Sequence, residues 1–294
     1  MSYTLQKECK IVLIYKGTGY LFDALTQFDF NQTFNRSSGS RKTLHSKKAK
    51  PYTYANSKNS ATFSFGVLGT KSFSEGVLFE LAGLTKLHAN VYEYGDELGI
   101  SPEFCDIFIV TKAGTHKVSK AAVQSLEVSL ALSEPLAFDV SFTASSIKRV
   151  SGIDLSSGLI EQGEPLLPTP IQYRINNILN NSVINAGISL QQSIDWRADR
   201  GLHDIGNLYI PKHAVLTDRS YGMNVNTYLN NKYPTPEEAY YANLELYKSG
   251  LYLSLGDALV THRVAPADVF TEAQDVTITD KTNKIIVEYG GYLI

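Results

Sequence analysis

Cysteine is nearly missing from this sequence: the 294 residues include two, Cys9 and Cys105. Neither stands in a CxxC pair or beside a histidine at zinc spacing, which excludes a thiolate metal framework. Two small, semi-buried thiols in a reducing compartment is the reading the pair supports. A strong excess of charge is missing too. The formal net charge is -2 with 19% charged residues, far from the basic balance of a dedicated nucleic-acid binder. No window approaches the roughly 18 consecutive apolar residues of a spanning helix, and Met1 to Glu8 holds no apolar core resembling a signal peptide. The expectation is a protein made in cytoplasm, with no membrane partner.

The usual catalytic signatures are absent as well: no HExxH, GxSxG or EF-hand loop occurs. Gly66-Val67-Leu68-Gly69-Thr70-Lys71-Ser72 imitates a phosphate loop, but Thr70 stands where a glycine must precede the lysine. Gly17-Thr18-Gly19 lacks the third glycine and following helix of a dinucleotide fingerprint and reads as a turn. No cofactor, metal or catalytic residue is therefore expected.

What the chain does have is 43% hydrophobic residues, 18 Tyr and 13 Phe against one Trp and two Met. That balance, with many Ser, Thr, Asn and Val, favours strands and sets aside a helical bundle. The length predicts about two domains.

An internal repeat supplies them. Phe28 to Phe65 aligns without a gap on Ile188 to Val225 at an offset of 160, which sets Pro51 on Pro211 and Gln32 on Gln192. Apolar alternation follows: Phe28, Phe30 and Phe34 fall on Ile188, Leu190 and Ile194, and Phe63 and Phe65 on Met223 and Val225. An earlier strand fits the same offset, with Ile11, Leu13 and Tyr15 on Ile171, Tyr173 and Ile175. Nearer the end of each half, Thr115 to Val123 aligns on Thr261 to Val269 at an offset of 146, matching His116 to His262. Two closing strands follow: Val128 and Leu130 correspond to Val276 and Ile278, and Phe138, Val140 and Phe142 to Ile285, Val287 and Tyr289.

The chain thus reads as a tandem duplication, with a first domain over 1–152, a linker rich in turn formers over 153–170, and a second domain over 171–294. One helix per repeat is expected. Ser74-Glu75 opens the first, with Val77, Leu78, Leu81 and Leu84 on one face. Thr235-Pro236-Glu237-Glu238 opens the second, with Tyr240, Leu244 and Tyr247. His116 and His262, each alone locally, read as hydrogen-bonded turn residues in preference to a base or metal ligand.

Between paired strands each half holds a segment of about 25 residues, Asn35 to Ser60 and Asp195 to Ser220, longer than plain connections. The first carries Arg36, Arg41, Lys42, His45, Lys47, Lys48, Lys50 and Lys58, with no carboxylate anywhere between Asp29 and Glu75. The second alternates Asp195, Arg197, Asp199, Arg200, Asp204, Asp218 and Arg219. Glu93, Asp96 and Glu97 form an acidic stretch that could receive the basic segment of another copy head to tail.

This arrangement resembles the phage tail tube proteins, in the siphophage type with two tube domains in one chain. The residues that carry the resemblance are the strand Cys9 to Ile14, Phe28-Asp29-Phe30-Asn31-Gln32-Thr33, the long loop, Ser64-Phe65-Gly66, a capped helix, Asp106-Ile107-Phe108-Ile109-Val110 and a closing pair ending at Phe142. The resemblance implies a mainly β fold: two tandem tail-tube-type β-sandwich or half-barrel domains that complete a ring-shaped β-barrel on oligomerisation.

It also implies a structural virion protein without catalysis, the major tail tube subunit, forming stacked trimeric, pseudo-hexameric rings through which genomic DNA passes without specific binding. Other tail proteins are implied as partners: an initiator or baseplate component, a terminator, and a tape measure in the lumen. The long loops are implied to reach the adjacent ring, at Arg36, Arg41, Lys42, Lys47, Lys48 and Lys50 and at Arg197, Asp199, Arg200 and Asp204. A lumen for DNA should avoid strong positive charge, so the basic loop is expected to face a neighbouring ring. The alternatives are a tube-end or baseplate junction ring of the same fold, a DNA-binding module using residues 36–50, and, third, a hydrolase through His116 or His262.

Overall fold

The computed structural model describes residues 9–23, 25–41, 50–94, 101–151, 158–197, 211–228, 239–265, 271–279, 282 and 284–290. Its strands are β1 (Lys10–Tyr15), β2 (Thr18–Phe22), β3 (Leu25–Asn31), β4 (Phe34–Arg41), β5 (Lys50–Lys58), β6 (Ala61–Leu68), β7 (Thr85–His88), β8 (Val91–Glu93), β9 (Cys105–Thr111), β10 (Gly114–Ala131) and β11 (Ala137–Val150). There follow β12 (Ile160–Glu161), β13 (Gln172–Ile175), β14 (Ile178–Asn180), β15 (Val183–Arg197), β16 (His213–Tyr228), β17 (Tyr240–Lys248), β18 (Leu251–Ala265), β19 (Thr271–Thr277) and β20 (Lys284–Tyr289). A 3-10 turn at Ser74–Gly76 leads into one α-helix, α1 (Val77–Leu81).

In the first half the strand order is β2-β1-β9-β10-β11-β6-β3, and in the second β14-β13-β17-β18-β19-β16-β15. β20 continues along β18 after β19, so the two together run where β11 runs unbroken in the first half. The halves join where Ser125–Ala131 of β10 pairs antiparallel with Gln191–Asn185 of β15. All pairings among the described residues are antiparallel except β12 on β2. Among the described residues no path along the ladder returns to its start, so the sheet they form is open, with β3 and β14 among its edges.

Two bulges bend the long strands. Val118 pairs with Ile107 and Ala121 with Cys105, leaving Ser119 and Lys120 against Asp106. Leu255 pairs with Leu244 and Ala258 with Ala242, leaving Gly256 and Asp257 against Asn243. Lys120 (φ 51) and Asp257 (φ 52) both take the left-handed conformation that such an extra residue needs. The bulges place β9-β10 on β17-β18 at an offset of 137. The offset of 146 is therefore corrected: His116 lies before its bulge and His262 beyond the other, and the two are not equivalent. The closing-strand matches change likewise, since Val128 sits on β10 while Val276 sits on β19.

The first expected helix is present but short. Val77, Leu78, Leu81 and Leu84 are buried as their spacing requires, while no side chain caps the helix. The second is corrected: Tyr240, Leu244 and Tyr247 lie on β17, where Ala242, Leu244 and Leu246 alternate inward at the period of two of a strand. The long segments are corrected too. Residues 34–41 and 50–58 form a hairpin arm, and β15 runs on to Arg197 opposite His213. Residues 160–166 lie along the first half, with Leu166 buried, its N–H donating to the Gly69 carbonyl at 2.9 Å, and the Lys71 N–H donating to the Glu164 carbonyl at 2.9 Å, whereas Leu167 and Thr169 accept from Ser249 of the second half at 3.0 and 2.7 Å.

Candidate functional site: the polar face of an eight-stranded sheet

Joined through β10 and β15, the two halves present eight neighbouring strands, β3-β6-β11-β10-β15-β16-β19-β18. Side chains alternate across the sheet, so each lateral row belongs to one face. One row runs Val67, Phe138, Val128, Ile188, Met223, Val276, Val260, and every member is buried. Each large side chain in it contributes about 1.5–3 kcal/mol of hydrophobic stabilisation, which fixes this face inward.

The adjacent rows are different in kind. One runs Gln27, Gly66, Asp139, Glu127, Ser189, Gly222, Thr277. Another runs Asp29, Ser64, Ser141, Ser125, Gln191, Ser220. A third runs Ala137, Ser129, Gly187, Asn224, Asp275, Thr261. The face they form is small, polar and internally hydrogen-bonded: the Gln27 amide donates to Asp139 at 3.1 Å, Ser125 and Ser141 share a hydrogen bond at 2.6 Å, and Asn226 donates to Asn185 at 2.7 Å. Around Glu127, Gly187, Asn224 and Asn226 it sinks into an open depression of about 540 Å³. In and beside these rows its charges are Asp29, Glu127, Asp139, Asp218 and Asp275 against Arg263; the same alternation adds Asp195 and Arg197 at the end of β15 and Arg149 at the end of β11, and no lysine stands in the three rows.

The apolar face is held by elements that cross between the halves. Tyr289 of β20 packs edge-on against Phe79 and Phe138, and β20 pairs with β8. The carbonyls of Leu81 and Ala82, at the end of α1, accept from Gln192 at 2.9 Å and Tyr221 at 3.3 Å; burial pushes the Tyr221 phenol up to about 12. Gly83 (φ +95) lies under the Arg219 guanidinium, which a Cβ there would meet at 2.8 Å.

Beneath them Glu75 is fully buried and accepts four hydrogen bonds: from the Thr70 N–H at 3.3 Å, the Thr70 hydroxyl at 2.8 Å, the Gln162 amide at 2.5 Å and the Tyr289 hydroxyl at 2.9 Å. Burial, then the Glu75 charge, drives the Tyr289 phenol well above its usual range.

Of the residues expected in the long segments, Arg36, Arg41 and Lys50 lie on the β4-β5 arm. Arg197 is exposed at the end of β15. Glu93 ends β8, half-buried opposite Ile286. Lys42, Lys47, Lys48, Asp199, Arg200, Asp204, Asp96 and Glu97 lie outside the described residues. The end of β15 and the approach to β16 rest on the first half: Trp196 Nε1 donates to Thr143 Oγ1 at 2.8 Å, Phe104 lies 6.1 Å from the indole, and Ser145 donates to the Pro211 carbonyl.

The histidines are placed separately. His116 is 5.5 Å from the Phe30 ring, whereas His262 pairs with Glu272 and stacks on Tyr240 at 5.4 Å. The polar rows, Glu75 and Trp196 were not among the residues expected from sequence. Only the pairing register, which joins positions far apart in the chain, brings them together.

The Bacteriophage Baseplate Tube Protein Family matches residues 1–294. The chain is 23% identical to baseplate tube protein p140 of Escherichia phage T5, over 99% of this chain and 99% of that one. The chain belongs to the Bacteriophage Baseplate Tube Protein Family and is a component of the phage virion tail.

Proposed function

We propose that the chain is a structural subunit of the tube at the baseplate end of the tail, that three copies close into one ring, and that the polar sheet face forms the ring's inner wall, through which the genome passes. The observation that carries this reading is the polar face itself. Lysines and arginines facing a duplex release its counterions and hold it, whereas hydroxyls, amides and scattered carboxylates give a wetted, weakly repelling wall. A face on which Asp29, Glu127, Asp139, Asp195, Asp218 and Asp275 outnumber Arg149, Arg197 and Arg263 suits a conduit and does not suit a DNA-binding module.

The matching strand order of the halves, and the bulges at Lys120 and Asp257, support a duplicated tube domain, with domains over 1–152 and 171–294 and a pseudo-sixfold ring from three chains. The long arms, with Arg36 to Lys50 on the first, are the parts suited to reach a neighbouring ring or another tail protein. Between a repeating tail tube and a single junction ring, the full-length match to a baseplate tube family favours the junction ring.

Sedimentation of the purified chain with negative-stain microscopy tests this. The expected particle has three times the 32.5 kDa of one chain and a central hole. Long tubes would return the role to the repeating tube. A monomer retaining duplex DNA at physiological salt would replace the conduit with a binding module.

A further inference from the structure

The joint inside the chain shows how two such sheets meet. β10 offers Ser125–Ala131 to β15 beyond the stretch it shares with β9. β18 is built the same way: it shares Leu251–Val260 with β17, and beyond Val260 that side of the strand carries no partner among the described residues. At the far end of the sheet β3 holds the position of β15 in its own half, paired among the described residues with β6 on one side only.

The lateral rows state which residues correspond. From Phe65 the row runs through Val140 to Leu126, and from Val225, which the offset of 160 sets on Phe65, it runs through Gln274 to His262. Arg263 therefore takes the place of Glu127. Ser189, the partner of Glu127, pairs with Gly222; Thr62 corresponds to Gly222 and pairs with Asn31, so register sets Asn31 in the place of Ser189 and corrects the gap-free match of β3 to β15 from an offset of 160 to 158.

We propose that the β18 edge from Thr261 to Ala265 pairs antiparallel with the β3 edge of a second copy, Arg263 opposite Asn31, repeating between chains the joint that fuses the halves within one. The proposal rests on the ring reading and names its seam.

The chemistry of the two edges agrees with this register. On the polar face Arg263 would meet Asn31 directly and Asp29 on the diagonal, within reach of a guanidinium. All three are exposed, and neither Arg263 nor Asp29 has an ion-pair partner among the described residues. On the other face Phe30, at the β3 edge, is 37% exposed, stacked in parallel on the half-buried Phe28 at 6.5 Å and tilted against His116 at 5.5 Å. In this register His262 of the second copy comes opposite Gln32 and diagonal to Phe30; it is stacked on Tyr240, and its buried Nε2 has no hydrogen-bond partner among the described residues. A one-residue slip would turn Arg263 toward Phe30, so the faces themselves exclude it. Because the two edges differ, the contact is head to tail and closes only as a ring.

Two chains, each with one cysteine added to the buried native pair, Asn31→Cys and Arg263→Cys, mixed under mild oxidation, should give a disulfide-linked dimer that neither gives alone. Asp29→Lys should weaken ring assembly about fivefold, the scale of one rim charge pair, and adding Arg263→Asp to it should restore assembly. Rings of normal mass with no cross-link and no effect of either charge change would place the seam elsewhere while leaving the ring intact. If the unaltered chain itself forms no ring, the ring reading falls and the seam with it.

Discussion

Asp106 and Asn243, 137 residues apart, hold the same position: each side-chain oxygen accepts the backbone N–H of a left-handed bulge residue on the neighbouring strand, Lys120 at 3.0 Å and Asp257 at 3.1 Å. The bulge leaves that N–H outside the ladder, and the carboxylate or amide satisfies it. Beyond each bulge the strand turns from its first partner toward the eight-stranded sheet, so a local hydrogen bond sets the path of the strands that enter that sheet.

Removing that acceptor should therefore destabilise each half by a similar amount. Asp106→Ala and Asn243→Ala are each expected to cost about 1 kcal/mol in urea unfolding, and Asp106→Asn less than half of that, because the amide oxygen keeps the bond. Asp106 also pairs with Lys117 at 2.7 Å, a partly exposed contact that contributes little. Equal losses in Asp106→Asn and Asp106→Ala would show that the ion pair, and not the bulge bond, carries the effect.

Glu75 should be among the most sensitive positions in the chain. Glu75→Ala leaves buried donors on Thr70, Gln162 and Tyr289 without an acceptor and is expected to cost about 3–5 kcal/mol. Tyr289→Phe removes one donor, keeps the ring against Phe79 and Phe138, and should cost about 1–2 kcal/mol. Denaturant midpoints of the two variants, compared at one slope, check both values.

The cysteines should be silent under native conditions. Cys9 and Cys105 are both buried, and burial, followed by the neighbouring Asp106, holds the Cys105 thiol well above its usual range, so the reactive thiolate is scarce. Reaction with a thiol reagent at pH 8 should run at least ~100-fold slower than after unfolding. Fast labelling of the folded protein would contradict the burial and would also spoil the cross-linking background.

How much of this was legible beforehand follows from side-chain chemistry. Phe28, Phe63, Phe65 and Phe142 announce their strands because large apolar residues alternate with polar ones. The Thr-Pro-Glu-Glu run at 235–238, which lies outside the described residues, reads as a helix start, and the alternation of Ala242, Leu244 and Leu246, which identifies the strand, is easily read as helical when Tyr240 and Tyr247 are counted with it. The β4-β5 arm is hidden because Ser, Asn, Lys and Gly carry no apolar period to read. The polar face is hidden for a different reason. Ser64, Ser141, Ser125 and Gln191 look like ordinary surface in the sequence, and only the pairing of four strands sets them in one row. Register also overturns the histidine match, since a bulge displaces everything beyond it along the strand.

Adding cations to the polar face should change function without changing the fold. Glu127 and Ser129 are exposed on β10. Glu127→Lys with Ser129→Lys is expected to leave stability within about 1 kcal/mol, as surface changes do, while creating duplex-DNA binding that weakens steeply with salt. Virions carrying the pair should eject DNA more slowly. Unchanged ejection and no DNA binding would place this face away from the channel.

The most direct test of the account is a cryo-electron-microscopy reconstruction of the assembled ring. The account predicts three chains around a hole, with the row Gln27, Asp139, Glu127, Ser189 and Thr277 facing the lumen and Phe138, Val128 and Ile188 directed away from it. A ring whose lumen is lined by other elements, with this face outward, would contradict it.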